Sequence, residues 1–310
     1  MKIEYGALLL IAVFCLGAAV GNQASGEILE TWESQPTTND PFDGNGDLTW
    51  TGDIASYRVA TETWPTSPAE DFAGDKSLRS QNHPADSVET VVTNITSAVD
   101  LGNPMEWSVF LSGNSTTIQP SRRADFVLLS DTSDVADIED PGTVNGVNGY
   151  KLTLWDPYSA AASNTPPTSH EAAGGHPDSV SLWTVDDTDD RWRVVGFVGL
   201  GATDNLRDGW NLRVRRETDG EWLIGFANGA IGQTPSLTSL GVDTTADFSG
   251  ATSFYGGIGW RAPTTDSDNT GFGFDNFSVS SISLPEPSAC LLALLGLVGL
   301  LSARMRRRRC

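Results

Sequence analysis

Cysteine and histidine are scarce in this chain. The three cysteines, Cys15, Cys290 and Cys310, all lie near its ends, so the long middle segment has no disulfide, no thiolate nucleophile and no cysteine metal site. His83 and His176 precede proline, and the spacing of His170 and His176 is not that of a zinc site. The sequence also lacks heptads, long amphipathic helices, a Gly-x-Ser-x-Gly elbow and a phosphate-binding glycine loop.

Positive charge is scarce as well. Lysine and arginine number 19 against 40 acidic residues, which gives a formal net charge of −21. Nucleic-acid binding needs a basic surface, so this balance excludes nucleic acid as a partner. The acidity suits a secreted protein, and it equally suits divalent cations, because carboxylates are natural calcium ligands.

Long apolar runs are missing except at the two ends. Lys2 precedes an apolar run over residues 7–20, followed by small residues up to Gly26, and this order predicts a secretory signal peptide over residues 1–26. Near the C-terminus, Pro285, Glu286 and Pro287 precede an uncharged stretch that spans roughly 24 Å as a helix. Five arginines follow: Arg304, Arg306, Arg307, Arg308 and Arg309. This pattern predicts a transmembrane helix with its arginines on the cytoplasmic side.

The order Pro-Glu-Pro, apolar span and arginine-rich tail closely resembles the PEP-CTERM sorting signal of Gram-negative bacteria that make exopolysaccharide. The resemblance covers the segment 285–310 and implies that an exosortase cuts near Glu286. The protein would be anchored transiently in the inner membrane and then released to the cell surface or extracellular matrix. An ordinary C-terminal membrane anchor is the alternative. Either interpretation leaves residues 27–284 as the exported domain.

Short alternating runs between turn residues fill this domain, which is typical of strands with one buried face. Residues 210–216 and 221–227 flank a turn with Gly220 and predict a hairpin. The alternation in the last strand slips at Asp275 and Asn276, which predicts a β-bulge. The pattern resembles a concanavalin A-like or laminin-G-like jelly roll, so we expect an all-β, antiparallel β-sandwich. The resemblance implies glycan binding by analogy alone.

Two groups of acidic residues are candidate calcium ligands. Asp43, Asn45 and Asp47 alternate with glycines, as in the opening of a calcium loop, although a polar turn has the same composition. In related jelly-roll modules the first and last strands lie side by side with a calcium ion between them. That resemblance nominates Glu30 and Glu33 on the first strand and Asp275 at the bulge, and two neighbouring surface carboxylates are the alternative.

Three aromatic residues at strand ends or in loops are candidates for stacking on sugar rings: Trp64, Trp155 and Tyr158. The paired-carboxylate strand of laminarinase-type hydrolases is absent, because the nearest string, at residues 137–141, reads as a loop and ends in Pro141. We therefore expect a non-catalytic surface or matrix protein that associates with exopolysaccharide. The alternatives are a purely structural envelope protein and a polysaccharide hydrolase or lyase on the same fold.

Overall fold

Strands dominate the part of the chain that the computed structural model describes. That part comprises residues 25–35, 42–61, 76–80, 84, 87–113, 123–139, 146–155, 179–188, 192–199, 209–229, 231–261 and 272–282. The strands are β1 Ser25–Glu30, β2 Trp50–Gly52, β3 Tyr57–Thr61, β4 Lys76–Ser80, β5 Val88–Asn94, β6 Met105–Gly113, β7 Arg123–Ser130, β8 Gly149–Trp155, β9 Ser179–Val185, β10 Arg193–Gly199, β11 Trp210–Arg216, β12 Glu221–Asn228, β13 Thr238–Val242, β14 Tyr255–Arg261 and β15 Phe272–Ser281. A five-residue α-helix, Val135–Glu139, and the 3-10 turns Ile54–Ser56 and Thr96–Ala98 accompany them.

The strands form two antiparallel sheets packed face to face, so the predicted all-β sandwich is confirmed. The eight-stranded sheet has the order β13-β12-β11-β6-β15-β4-β3, with β1 paired to β15. The seven-stranded sheet has the order β10-β9-β8-β7-β14-β5-β2. The first and last strands are therefore neighbours, as expected for a jelly roll. The sandwich forms one compact unit, Gly26–Ser281.

Two local predictions are confirmed by the strand pairing. Strands β11 and β12 form a hairpin from Trp210 opposite Asn228 to Arg216 opposite Trp222, and Gly220 in its turn has a φ of +86°. Such a φ strains any residue that carries a Cβ. In β15 the pairing with β6 shifts between Asp275 and Ser278, so one extra residue lies in the strand.

Aromatic side chains from both sheets fill the main core between them. The rings of Trp107 and Trp222 stack at 5.6 Å, and Tyr150 lies 4.6 Å from Trp222, measured between ring centroids. Phe277 contacts Trp50 at 5.3 Å and Phe126 at 5.8 Å. Offset or edge-on contacts of this kind each add about 0.5–1.5 kcal/mol beyond the area that they bury.

A second apolar cluster lies on the opposite, outer face of the seven-stranded sheet. Its buried members are Val92, Val127, Ile138, Val147, Trp183, Val185 and Trp192. The helix Val135–Glu139 supplies Ile138, whose carbonyl accepts a hydrogen bond of 2.9 Å from the indole of Trp192. This outer cluster covers one part of the outer face and leaves a polar strip beside it.

The predicted signal peptide and PEP-CTERM segment lie outside the described residues and stay predictions. Among the residues that are described, no helix is long and apolar enough to span a bilayer.

Candidate functional site

A polar row crosses the outer face of the seven-stranded sheet, one residue per strand. The register places these positions side by side from β5 to β10: Thr90, Gly259, Asp125, Thr153, Ser181 and Phe197. Neighbouring strands lie about 4.8 Å apart, so five steps span about 24 Å. Such a row has the length of an extended oligosaccharide.

Alternation along the strands puts these side chains outside. Phe126 on β7 and Leu152 on β8 pack in the main core, so Asp125 and Thr153 point to the other face. Gly259 permits a close approach, because a Cβ there would lie 2.8 Å from the hydroxyl of Thr90 and 3.3 Å from the Cβ of Asp125. The side chains of Thr90 and Asp125 therefore pack closely against the backbone of Gly259, near the centre of the row.

Phe197 is the exposed end of the row. Val195 and Phe197 stand two positions apart, which would place both on one face of a regular strand. The pairing of β10 with β9 shifts between Val194 and Gly196. Val195 packs against the main core, whereas Phe197 pairs with Ser181 and keeps 46% of its surface exposed. The bulge thus presents an aromatic ring beside the hydroxyls of the row.

A buried ionic cluster surrounds the middle of the row. The Arg123 Nη2 atom lies 2.6 Å from Asp125 Oδ2, and the Lys151 Nζ atom lies 3.7 Å from the same oxygen. Lys151 also lies 4.6 Å from the ring centroid of Trp192, in a cation–π contact. Burial alone would raise the pKa of Asp125, but the charges of Arg123 and Lys151 outweigh it and hold this pKa below its usual value.

Asp125 and Thr153 are register partners on β7 and β8, and both are buried. The Thr153 hydroxyl lies close enough to Asp125 to help hold the pKa of this carboxyl below its usual value. Within the described part of the chain, neither Asp125 Oδ1 nor Thr153 Oγ1 makes a hydrogen bond of good geometry. A carboxylate oxygen and a hydroxyl side by side are suited to a ligand that both donates and accepts, such as a sugar hydroxyl.

Glu139 lies at the far end of the row, next to Thr90. Residues 135–139 form a helix instead of the expected loop, and they place this carboxyl against β5. Burial, reinforced by the charges of Asp53, Glu89 and Asp125, raises the pKa of Glu139 to about 8, against a smaller opposing effect of its hydrogen bond with Thr90. Glu139 therefore holds its proton at neutral pH, whereas Asp125 is ionised.

Glu30, a predicted calcium ligand, is a fully buried carboxylate that binds N–H donors. Its Oε1 accepts from the Trp32 amide at 2.8 Å, and its Oε2 accepts from the Leu48 amide at 2.9 Å and the Trp50 indole at 3.2 Å. These bonds fasten the end of β1 to the loop containing Asp43 and Asp47. Both oxygens are therefore engaged in holding the fold.

The other predicted calcium ligands also have local partners. Glu33 accepts from the Lys76 amide at 3.1 Å, and the Lys76 ammonium donates to the carbonyls of Glu33 and Gln35 at 2.6 Å each. Asp43 Oδ1 accepts from the amide of Asn45 at 3.0 Å, and Asp47 Oδ1 accepts from the hydroxyl of Ser34 at 2.8 Å.

Asp275 is buried at the bulge and accepts from the next amide, that of Asn276, at 2.7 Å. Among the described residues, no three His, Cys, Asp or Glu side chains converge as metal ligands would. The calcium site between the first and last strands stays a prediction.

The predicted stacking residues are only partly described. Trp64 and Tyr158 lie outside the described residues, whereas Trp155 is the last residue of β8 and the register partner of Arg123. Trp155 therefore ends its strand beside the ionic cluster.

Sequence reasoning missed Arg123, Asp125, Lys151, Glu139 and Phe197. The available signal was weak: Asp125 and Lys151 are charged residues at alternate positions of otherwise apolar strands, which is normally the pattern of a solvated face. Nothing in the local sequence says that this particular face is buried.

Comparisons with known proteins give likeness in fold only. No family model matches the chain, and no curated protein matches it. The alginate lyase Aly36B, solved with an alginate trisaccharide, is 10% identical with a TM-score of 0.49, over 84% of this chain and 100% of that one. A Bauhinia forficata lectin bound to GalNAc is 10% identical with a TM-score of 0.44, over 83% and 99%. A Shewanella oneidensis protein of unknown function is 9% identical with a TM-score of 0.45, over 87% and 92%. At these identities and scores, the likenesses say nothing about what this chain binds.

Proposed function

We propose that this protein is a non-catalytic, exported surface or matrix protein that binds exopolysaccharide along the polar row. The carrying observation is that Phe197, an exposed aromatic ring, lies in line with the polar positions Thr153 and Asp125. A sugar has apolar ring faces that stack on aromatic rings, and its hydroxyls bond to carboxylates and hydroxyls. The row combines these two kinds of contact on one face.

Entry to the row would begin at the β10 edge. Phe197 is exposed there, whereas Asp125 keeps only 5% of its surface accessible. We therefore place the stacking contact with a polysaccharide on Phe197. Ser181 and Thr153 are fully buried and lie in line behind it.

A glycan array tests the binding proposal with a matched pair of variants. Phe197→Ala removes the exposed ring of the row, and Val242→Ala removes an exposed apolar residue, 66% accessible, from the edge of the other sheet. We expect the full-length protein and Val242→Ala to bind the same glycans and Phe197→Ala to lose about tenfold or more in affinity. Absence of binding by the unmutated protein would favour the purely structural envelope role.

The proposed location rests on the two ends of the sequence. The signal peptide, Pro285-Glu286-Pro287 and the arginine tail support export, a transient inner-membrane anchor and processing by an exosortase. Cell fractionation tests this. We expect the protein outside the inner membrane in cells that have an exosortase, and retained in that membrane when the enzyme is deleted.

We place the proposed calcium site at the loop of Asp43, Asn45 and Asp47. These three side chains are exposed, whereas both oxygens of Glu30 are bonded to N–H groups.

Polysaccharide hydrolysis is a second candidate, favoured by one observation. Glu139 is protonated and Asp125 is ionised at neutral pH, and the charge of Asp125 contributes to the raised pKa of Glu139. Carboxyl groups whose pKa values are pushed apart are the usual acid and nucleophile of glycosidases. Release of reducing ends from a bound polysaccharide, abolished by Glu139→Gln, would establish this activity; the absence of release would leave the binding role alone.

A further inference from the structure

We propose that the short helix Val135–Glu139 is a pH-sensitive cover over the β5 end of the polar row, closed in acid and opening as the pH rises. This device goes beyond the proposed function, because movement of the helix requires no polysaccharide. It rests on how the helix is held, on the carboxyl groups around Glu139 and on the residues that the helix covers.

The helix depends on the sheet for its stability. A helix of five residues is too short to be stable alone, so its contacts decide whether it stays folded. Ile138 packs in the outer cluster, and its carbonyl accepts the hydrogen bond of 2.9 Å from the Trp192 indole. Val135 lies over Gly52, where an added Cβ would come within 2.6 Å of the Val135 Cγ1 atom. The Glu139 carboxyl adds a polar contact with β5.

Carboxylates surround Glu139 where it meets β5. Its carboxyl bonds to the hydroxyl of Thr90, and Asp53 Oδ2 accepts a hydrogen bond of 2.9 Å from the Thr90 amide. Glu89 precedes Thr90 in β5, and Asp125 lies on the same row, two strands away. The charges of these three carboxylates oppose the ionisation of Glu139. A protonated Glu139 therefore fits this position, whereas an ionised one is repelled.

Other titratable groups near the helix leave this repulsion in place. In the described part of the chain they are two carboxyls of the same segment, one phenol and three cations: Asp134, Asp137, Tyr57, Arg123, Lys151 and Arg261. Burial raises the pKa of Tyr57 well above its usual value, so this phenol is neutral. Arg123 and Lys151 lie against Asp125, at 2.6 and 3.7 Å. Burial, together with the neighbouring carboxylates, raises the pKa of Glu139 to about 8.

Glu139 couples the position of the helix to pH. In the closed state its pKa is about 8, whereas release into water returns the carboxyl to its ordinary pKa of 4.5. The closed state therefore binds the proton more tightly. The ratio of open to closed molecules rises about tenfold for each pH unit between these two values and levels off above them.

Opening changes what the outer face presents at its β5 end. Thr90 and Val92 keep at most 1% of their surface accessible while the helix is in place. Release of the helix would uncover both and would take the carbonyl of Ile138 away from the Trp192 indole. The face then presents a hydroxyl and an indole N–H at the end opposite Phe197.

Amide hydrogen exchange of the full-length protein between pH 5 and pH 9 tests the cover, with rates corrected for the intrinsic pH dependence of exchange. The readout is the Ile138 amide, which donates to the Asp134 carbonyl at 3.1 Å in the closed helix. We expect its protection to fall by up to about tenfold per pH unit until about pH 8, because opening is local and linked to one proton. Strand β7, Arg123–Ser130, should keep its protection.

Two variants make a matched pair for this measurement. Glu139→Gln cannot ionise, so we expect the protection of the helix to stay constant with pH. Glu106→Gln removes a carboxylate of the eight-stranded sheet that is 24% exposed, and it should behave as the unmutated protein does. If Glu139→Gln fails to fold, Glu139→Asp serves instead, because its shorter side chain draws the carboxyl back towards water. We then expect a shallower fall in protection.

Several outcomes would overturn the proposal. One is constant protection of the helix in the unmutated protein. Another is an equal loss in the helix and in β7, which would show unfolding of the whole sandwich. A fall that persists in Glu139→Gln, or is as steep in Glu139→Asp as in the unmutated protein, would assign the pH dependence to a different group. None of these outcomes depends on whether the protein binds a polysaccharide.

Discussion

The outer faces of the two sheets carry the same kind of ion pair in opposite surroundings. On the seven-stranded sheet, Arg123 and Asp125 keep 2% and 5% of their side-chain surface exposed, with 2.6 Å between the charged atoms. On the eight-stranded sheet, Arg213 and Glu106 each keep 24%, with two bonds of 2.7 and 2.8 Å. In sequence, both look like charged residues on the solvated side of a strand.

The difference in burial assigns different roles to the two faces. A solvated pair contributes about 0–1 kcal/mol and needs no explanation beyond solubility. A desolvated cluster costs several kcal/mol per ion, so its retention points to a use beyond stability. The lesson is that a functional face of this sandwich is recognised by the burial of its charged residues, because both outer faces carry charged residues of the same types.

The largest expected effect comes from removing one carboxylate on each face. Asp125→Ala leaves Arg123 and Lys151 buried beside an empty position, and we expect it to lower the free energy of unfolding by about 3–5 kcal/mol. Glu106→Ala, its matched control, leaves Arg213 able to reach water and should cost less than about 1 kcal/mol. Urea unfolding of both variants measures this, and equal losses would erase the contrast between the faces.

Glu139 gives the seven-stranded face a pH dependence. The unfolded chain releases this proton near the ordinary pKa of 4.5 and the folded chain near 8, so the folded state binds the proton more tightly between these values. Its contribution to stability is therefore full below about pH 4.5, falls as pH rises towards 8, and is then lost, at about 1.4 kcal/mol per pKa unit.

Urea unfolding between pH 5 and pH 9 checks this, with Glu139→Gln as the control. We expect the difference in unfolding free energy between the protein and the variant to change by up to a few kcal/mol across this range. A difference that is constant with pH would mean that Glu139 has an ordinary pKa.

Glu30 is a buried carboxylate whose partners are N–H donors, whereas the partners of Asp125 are cations. The two carboxylates therefore show how the kind of partner affects stability. Glu30→Gln keeps the shape but removes the charge from three hydrogen bonds. Hydrogen bonds to a charged group are worth about 1.5–3 kcal/mol each, and the amide retains part of that. We expect a loss of about 1–3 kcal/mol in urea unfolding, smaller than that of Asp125→Ala. An unchanged stability would contradict its role as the fastener of β1.

Calcium should have the smallest effect. Because the oxygens of Glu30 already bind N–H groups, we expect calcium to change the melting temperature, relative to a chelator, by less than about 2 °C. A rise of several degrees that Asp43→Ala abolishes would instead establish a metal site at the exposed loop.

Much of the fold was predictable because its signals are local. Alternation and Gly220 predict the β11–β12 hairpin, and the slip at Asp275 predicts the bulge in β15. The site was not predictable, because it depends on which residues six separate strands bring into one row. Phe197 illustrates this: a one-residue bulge in β10 moves it to the opposite face from Val195. Burial of Asp125 likewise depends on residues that are distant from it in the sequence.

Amide hydrogen exchange of the full-length protein, with and without a saturating polysaccharide that it binds on the glycan array, tests the central claim most directly. We predict that the polysaccharide that binds slows exchange in Ser179–Val185 and Arg193–Gly199, the strands that carry Ser181 and Phe197, and leaves Thr238–Val242 on the eight-stranded sheet unchanged. Protection confined to the eight-stranded sheet, with none in β9 or β10, would contradict the claim that the seven-stranded face is the binding face.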